Sequence, residues 1–295
     1  MTDISPGDKA IVITGASSGI GRATALELDR QGFRVFATVR TEDAAAQLRK
    51  DASPRLEVIF LDLAELARIQ AVGAQLREKL QAEGLWGLVN NAGVALTGPV
   101  EFLDPEIWHY QFAVNFFGHI ELTRQLLPLL RARRGRIINI TSISGRIAPP
   151  YFGPYTCSKF ALEGLSDVLR VELRRFGIQV IVVEPGNTAT PIWERARKFS
   201  DDQFRTWEDK LQSLPADVRA LYEADFEAMR KATEVMGRTG RNVETVVRTI
   251  IHALTARRPK ARYPVGWQVK ATFLLFRFLP ERLRDRIICW ALRLP

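Results

Sequence analysis

Short apolar runs alternate with helix-like segments over the first two thirds of this chain, and that alternation constrains its fold more than any other feature. Lys9-Ala-Ile-Val-Ile-Thr14 reads as a buried strand. It runs into Gly15-Ala-Ser-Ser-Gly19-Ile-Gly21 and then into a helical pattern over Arg22 to Gln31, closed by Gly32. Further strands are expected at Arg34 to Val39, Leu56 to Leu61, Trp86 to Asn90, Gly135 to Thr141 and Gln179 to Val183. Helices are expected between them, at about Leu66 to Ala82, Pro105 to Arg133 and Tyr155 to Phe176. Strands that alternate with helices build a parallel sheet covered on both faces, and right-handed crossovers wind it in two directions. The expectation is a single α/β domain over residues 1–295 with one doubly wound, Rossmann-type sheet. Ligands in such sheets bind at the carboxyl ends of the strands.

Beyond Pro191 the pattern changes. Residues 192–240 are rich in charge and helix formers, with Trp193, Phe199, Phe204, Trp207, Leu211, Leu221, Tyr222, Phe226 and Met229 at irregular spacing. An insertion of this size after a strand reads as a helical lid over a substrate site. A plain surface helix pair is the bland alternative. A helix over Asn242 to Ala256 and a last strand at Ala261 to Val265 follow. Residues 257–295 form a basic amphipathic extension. From Thr255 to the end there are ten Lys/Arg against two acids, so this segment holds +8 of the chain's net +9. The basic charge belongs to the tail and gives no sign of a nucleic-acid groove. Apolar residues among its arginines suit either an anionic membrane surface or packing on the protein or a second subunit. The first residues lack the basic-then-apolar pattern of a secretory signal, and two cysteines make no disulfide framework. The expected location is the cytoplasm, with peripheral membrane contact through the tail.

The glycine-rich turn carries a physical purpose. Gly15, Gly19 and Gly21 permit a tight turn, and with Ser17, Ser18 and Ile20 they open a helix whose free N–H groups suit a pyrophosphate. At the end of the second strand no acid stands at Val39, and Arg40 follows. A guanidinium there suits a ribose 2′-phosphate, so NADP(H) is favoured over NAD(H). Asp62 after the third strand suits an adenine amino group or, equally, a helix cap. Asn91, Ala92 and Gly93 after the fourth strand would let the chain pass close to the adenosine, or simply turn.

Tyr155 and Lys159 stand four residues apart, hence on one face of a helix. A nearby ammonium favours the phenolate, so the pair is a candidate general acid/base. Ser142, at the carboxyl edge of the fifth strand, could polarise a substrate carbonyl. Asn115, in a long helix, could anchor a water that relays protons through Lys159, or it could be an exposed or kink-associated polar residue.

Taken together, Thr14-Gly-Ala-Ser-Ser-Gly-Ile-Gly21, Asn90-Asn-Ala-Gly93, Asn115, Ser142, Tyr155-x-x-x-Lys159 and Pro185-Gly186 resemble the short-chain dehydrogenase/reductase family. The resemblance covers about Lys9 to Ile192. It implies Tyr155 as proton donor, Lys159 as the residue that binds the nicotinamide ribose and lowers the tyrosine pKa, Ser142 as the carbonyl-polarising hydroxyl and Asn115 as the relay anchor. It also implies Pro185 and Gly186 against the nicotinamide and Thr190 on its carboxamide. Thr188 stands where members carry Val or Ile, and Arg40 matches the cation of NADP-preferring members. The implied activity is hydride transfer between nicotinamide and a carbonyl/alcohol pair. The aromatic lid and the tail are similar to steroid- and retinol-type members, and the family implies a homodimer or homotetramer through the helices of Asn115 and Tyr155. Two other readings stay open: a non-catalytic NADP-binding sensor or scaffold, and an epimerase or dehydratase on the same fold. No metal site is expected.

Overall fold

In the computed structural model, residues 9–190, 212–240 and 242–292 are described, together with residues 7, 192 and 294. Seven parallel strands form one sheet in the order β3-β2-β1-β4-β5-β6-β7. They are β1 (Ala10–Ile13), β2 (Arg34–Val39), β3 (Leu56–Phe60), β4 (Gly87–Asn90), β5 (Arg136–Ile140), β6 (Gln179–Pro185) and β7 (Arg262–Val265). The order turns back between β1 and β4, which opens a crevice at their carboxyl ends, as a doubly wound sheet requires.

Successive side chains of a strand point to opposite faces, and both faces are covered. Ile11 and Ile13 join Val35, Ala37 and Ile138 on one face. There they meet Ala25 and Leu28 of α1 (Gly19–Arg30) and Ile250 and Leu254 of the helix over Val243–Thr255. Val12, Phe36, Leu88 and Ile137 point the other way. They meet Ile69 and Leu76 of α3 (Leu66–Lys79) and Leu122, Leu126 and Leu130 of α5 (Gly118–Arg133). The unbroken apolar runs of the sequence follow from this double burial.

The helices refine the pattern in four places. α1 begins at Gly19, three residues before Arg22, so its first turn lies inside the glycine-rich loop. α2 (Glu42–Asp51) has no counterpart in the sequence reading; Thr41 caps it by accepting from the Ala44 N–H at 3.3 Å. The expected single helix from Pro105 is α4 (Pro105–Phe112), a π-helical turn over Ala113–Phe117 and then α5. The helix carrying the Tyr-Lys pair, α6 (Gly153–Glu172), begins two residues before Tyr155.

Of the proposed lid, residues 193–211, with Trp193, Phe199, Phe204, Trp207 and Leu211, lie outside the described residues. The rest includes α7 (Ala216–Thr239), followed by α8 (Val243–Thr255). The tail forms α9 (Trp267–Phe278) and α10 (Glu281–Leu292). α9 buries Val269 and Phe273, and α10 packs against α7. Among the described residues no helix is long and apolar enough to cross a membrane.

Candidate active site

The cleft at the carboxyl ends of β1, β4 and β5 has a volume of about 320 Å³. Gly15, Ser17, Ser18, Gly19, Ile20, Gly21, Arg40, Asp62, Asn91, Ala92, Gly93, Ser142, Tyr155, Lys159, Pro185, Gly186, Thr188 and Thr190 all line it. Of the candidate catalytic residues, Ser142, Tyr155 and Lys159 line it and Asn115 does not.

The glycine-rich turn is built by contact as well as by conformation. Gly15 has φ +71°, and a Cβ there would stand 2.7 Å from Ala92 Cα. A Cβ at Gly21 would stand 2.2 Å from the Gly15 carbonyl oxygen. Thr14 Oγ1 accepts from the N–H groups of Asn91 and Ala92, each at 2.9 Å, and the Asn91 amide donates to the Thr14 carbonyl at 2.8 Å. The β1 and β4 loops are thus locked together under the start of α1. A cradle of bare backbone facing a helix N-terminus fits a dinucleotide pyrophosphate. Arg40 Nη1 lies 3.3 Å from Tyr110 Oη and 3.9 Å from Asp62 Oδ2. Asp62 also accepts from the Ala64 N–H at 2.9 Å, which closes a turn and not a helix cap, because α3 begins only at Leu66 after Glu65; the Asp62 side chain lines the cleft.

Tyr155 and Ser142 meet in the cleft, which Pro185 and Gly186 also line. Ser142 Oγ accepts from the Ser144 N–H at 3.1 Å, and its hydroxyl is in hydrogen-bonding contact with the Tyr155 phenol. Burial pushes the Tyr155 phenol above its ordinary range, and the Ser142 hydrogen bond pulls the other way. Lys159 Nζ stands 5.8 Å from the Tyr155 ring centroid and donates to the Ile140 carbonyl at 2.9 Å. The expected lowering of the phenol by a nearby ammonium is therefore not a property of the protein groups alone, because desolvation dominates. Lys159 itself is pushed down to about 8 by burial, against an upward pull from Glu163.

Asn115 sits in the π-helical turn and is fully enclosed. Its Oδ1 accepts from the Val94 N–H, its Nδ2 donates to the Val94 carbonyl, both at 2.9 Å, and Nδ2 also donates to Ser158 Oγ at 3.2 Å. The side chain is thus spent on fixing the segment after Gly93, and an exposed asparagine is excluded. Two neighbours on the same helical face share the task. Gln111 bonds Leu96 N–H and the Val94 carbonyl, and His119 Nε2 lies 2.8 Å from the Ala92 carbonyl. Burial pushes His119 down to about 3, so it is neutral. Gln111 and His119 went unread in the sequence, although polar residues every fourth position through an apolar helix, at 111, 115 and 119, are a visible signal.

A roof closes over the phenol. Tyr155 packs with Ala95, Phe152 and Met229 of α7, and Tyr151, Ile192 and Leu292 of α10 border this cluster. α7 and the tail therefore both reach the Tyr155 side chain's cluster.

Comparison with known proteins places this constellation. The profile of the short chain dehydrogenase family matches residues 9–201. The chain belongs to the short-chain dehydrogenase/reductase family. It is 36% identical over 286 residues to retinol dehydrogenase 16 of Mus musculus, covering 96% of this chain and 88% of that protein. It is 39% identical over 287 residues to 17-beta-hydroxysteroid dehydrogenase type 6 of Bos taurus, covering 95% and 88%. A short-chain dehydrogenase from Streptomyces avermitilis superposes with a TM-score of 0.73 at 28% identity, covering 99% of this chain and 97% of that one. A metagenomic short-chain oxidoreductase solved with NADP superposes with a TM-score of 0.58 at 33% identity, covering 64% and 88%. As a short-chain dehydrogenase/reductase, the protein is an oxidoreductase acting on a CH–OH/C=O pair.

Proposed function

We propose that this short-chain dehydrogenase/reductase uses NADP(H) and transfers hydride to or from a bulky apolar alcohol, ketone or aldehyde of steroid, retinoid or long-chain type. One observation carries the reading: the Tyr155 hydroxyl hydrogen-bonds Ser142, and the Tyr155 side chain packs with the apolar Ala95, Phe152 and Met229. The names of the retinol and hydroxysteroid dehydrogenases it is similar to support the substrate class. Arg40 at the cleft, with no acid at Val39, supports the 2′-phosphate.

Bound nicotinamide would supply or accept the hydride. Gly15, Ser17, Ser18, Gly19, Ile20 and Gly21 would hold the pyrophosphate, and Asp62, Asn91, Ala92 and Gly93 the adenosine. Pro185, Gly186, Thr188 and Thr190 would hold the nicotinamide end. In the reductive direction Tyr155 Oη gives its proton to the substrate oxygen while Ser142 stabilises the developing negative charge. The raised phenol suits a donor that keeps its proton until the oxygen demands it. Lys159 holds the floor through Ile140, and Asn115 keeps the Val94 segment in place beneath it.

The tail supports a surface role. Trp267, Phe278 and Trp290 are 70%, 75% and 81% exposed, with Leu274 and Leu275 beside them and Lys270, Arg277, Arg282 and Arg286 interspersed. Outward indoles and phenyls among cations suit the interface of an anionic bilayer. Phe117 of the π-helical turn and Phe160, Val168 and Val171 of α6 are also exposed, which suits pairing with a second copy along those helices.

Turnover of a carbonyl panel tests the enzymatic reading. Steroid ketones and retinoid aldehydes should be reduced with NADPH in preference to NADH. Activity confined to small polar carbonyls, or a preference for NADH, would contradict it.

A further inference from the structure

Helix α9 touches the active site at two points. β7 pairs with β6 in parallel, Val265 beside Pro185, so the chain enters α9 next to the Pro185-Gly186 segment. Val269 and Phe273 stand one helical turn apart and are the buried side chains of α9. A Cβ at Gly186 would stand 2.6 Å from Val269 Cγ2, so Val269 fills the space beside this cleft-lining glycine. Phe273 meets Arg146, whose guanidinium carbon lies over the ring at 4.3 Å from its centroid.

Arg146 ends the turn that carries Ser142. Ser142 Oγ accepts from the Ser144 N–H at 3.1 Å, the Ser142 carbonyl from the Gly145 N–H at 2.9 Å and the Ile143 carbonyl from the Arg146 N–H at 3.1 Å. The turn is anchored twice. At Gly145 it is pressed onto α6, because a Cβ there would stand 3.1 Å from Glu163 Cγ and 3.2 Å from the Lys159 carbonyl oxygen. At Arg146 the anchor is the side chain, which reaches Phe273 and also donates from Nη1 to Glu184 Oε1 at 3.4 Å.

Glu184 is fully buried on β6, immediately before Pro185-Gly186. Arg262 of β7 stands further from it, at 3.9 Å, and is paired with Glu163 at 3.0 Å. Arg146 is thus the closer cation of a buried carboxyl and the cover of a buried phenyl, although 43% of its own side chain is exposed. A planar guanidinium can lie flat on a ring while an N–H at its edge meets a carboxylate; an ammonium cannot match both geometries. The segments that follow β5, β6 and β7 therefore meet at one side chain.

We propose that Arg146 is a positioning residue: clamped between Glu184 and Phe273, it fixes the turn that aims the Ser142 hydroxyl at Tyr155, which makes α9 a working part of the active site. The inference rests on the reading of Ser142 as the group that meets the developing charge. A displacement of about 1 Å in such a group is enough to cost a large factor in rate.

The test combines steady-state kinetics of full-length variants with amide hydrogen exchange across residues 142–147. Arg146→Ala should lower kcat by about tenfold and leave KM for NADPH within about twofold of wild type. Arg146→Lys, which keeps the charge and loses the plane, should recover part of the loss. Because Arg146 acts through Ser142, adding Arg146→Ala to Ser142→Ala should cost less than about twofold more. Exchange in the turn should quicken in Arg146→Ala and in Phe273→Leu, while β1 and β4 keep their protection. Should Arg146→Ala not fold, Arg146→Lys and Phe273→Leu decide. Losses that multiply in the double variant, unchanged exchange in the turn, or loosening spread evenly over the sheet would each overturn the proposal, the last by marking Arg146 as merely structural. Full turnover in Ser142→Ala would defeat the reading of Ser142 instead, whereas a slow Ser142→Ala beside a wild-type rate in Arg146→Ala would defeat this inference alone. The exchange measurement needs no turnover, so it decides even if no carbonyl is reduced.

Discussion

The glycine-rich half of the cleft and the C-terminal tail solve opposite problems. Around Gly15, Gly21, Asn91 and Ala92 the backbone approaches itself so closely that no side chain fits, and the shape is set by hydrogen bonds through Thr14. In α9 and α10 side chains do everything. Val269 and Phe273 are buried, while Trp267, Phe278 and Trp290 face outward. The glycine-rich cradle is fixed by bare backbone, whereas the surroundings of Tyr155 are packed by side chains and the tail turns further apolar side chains outward. Phe273 and Leu292 show that the tail is part of the enzyme's body, because one lies under Arg146 and the other borders the Tyr155 cluster.

Substitutions on either side would sharpen or break this contrast. Ser142→Ala should cost the largest factor among them, about 100-fold or more in kcat, because a donor aimed at developing charge is lost. Equal losses in kcat and in NADPH binding would show instead that the loop had collapsed. Arg40→Asp should weaken NADPH binding by about 10- to 100-fold and leave NADH binding little changed, measured by fluorescence titration. Matching losses for both would show that the turn, not the 2′-phosphate contact, had been damaged.

The pH profile gives a third check. Lys159 is depressed to about 8, so its ammonium is present below that value and lost above it. The rate of reduction should fall by about tenfold per pH unit beyond the limb. A profile flat to pH 10, on the order of the free lysine value, would remove Lys159 from the mechanism. On the tail, Phe273→Ala should destabilise by about 3 kcal/mol in denaturant unfolding. Trp290→Ala should change stability by under about 0.5 kcal/mol while weakening binding to anionic vesicles. A large stability loss at Trp290 would mean that its outer face is covered by protein.

The uneven readability of the sequence has a physical basis. Strands buried on both faces leave unbroken apolar runs, so β1 to β6 and the winding of the sheet were readable from Ile11, Phe36 and Ile138 and their neighbours. The cleft residues were readable because Gly15 and Ser142 follow strand ends and Gly21 and Tyr155 lie in the first turns of α1 and α6, where chain order fixes position. α2 escaped because its alanines carry little periodic contrast. Gln111 and His119 escaped because their partners, Val94, Leu96 and Ala92, offer backbone groups with no sequence signature. The Glu163–Glu184–Arg262 cluster draws on α6, β6 and β7, up to 99 residues apart, and no local pattern announces such a meeting. The phenol shift ran against expectation because burial depends on what packs around Tyr155, and Ala95, Met229 of α7 and Leu292 of α10 come from segments far from it in the chain.

Tyr155→Phe tests the central claim most directly, with NADPH binding and single-turnover reduction followed on the same sample. Removing one oxygen should abolish reduction, by about 1000-fold or more, while NADPH binds with unaltered affinity. Reduction at an undiminished rate in that variant would mean that the proton comes from elsewhere and that the Tyr155–Ser142 pair is not where the chemistry happens.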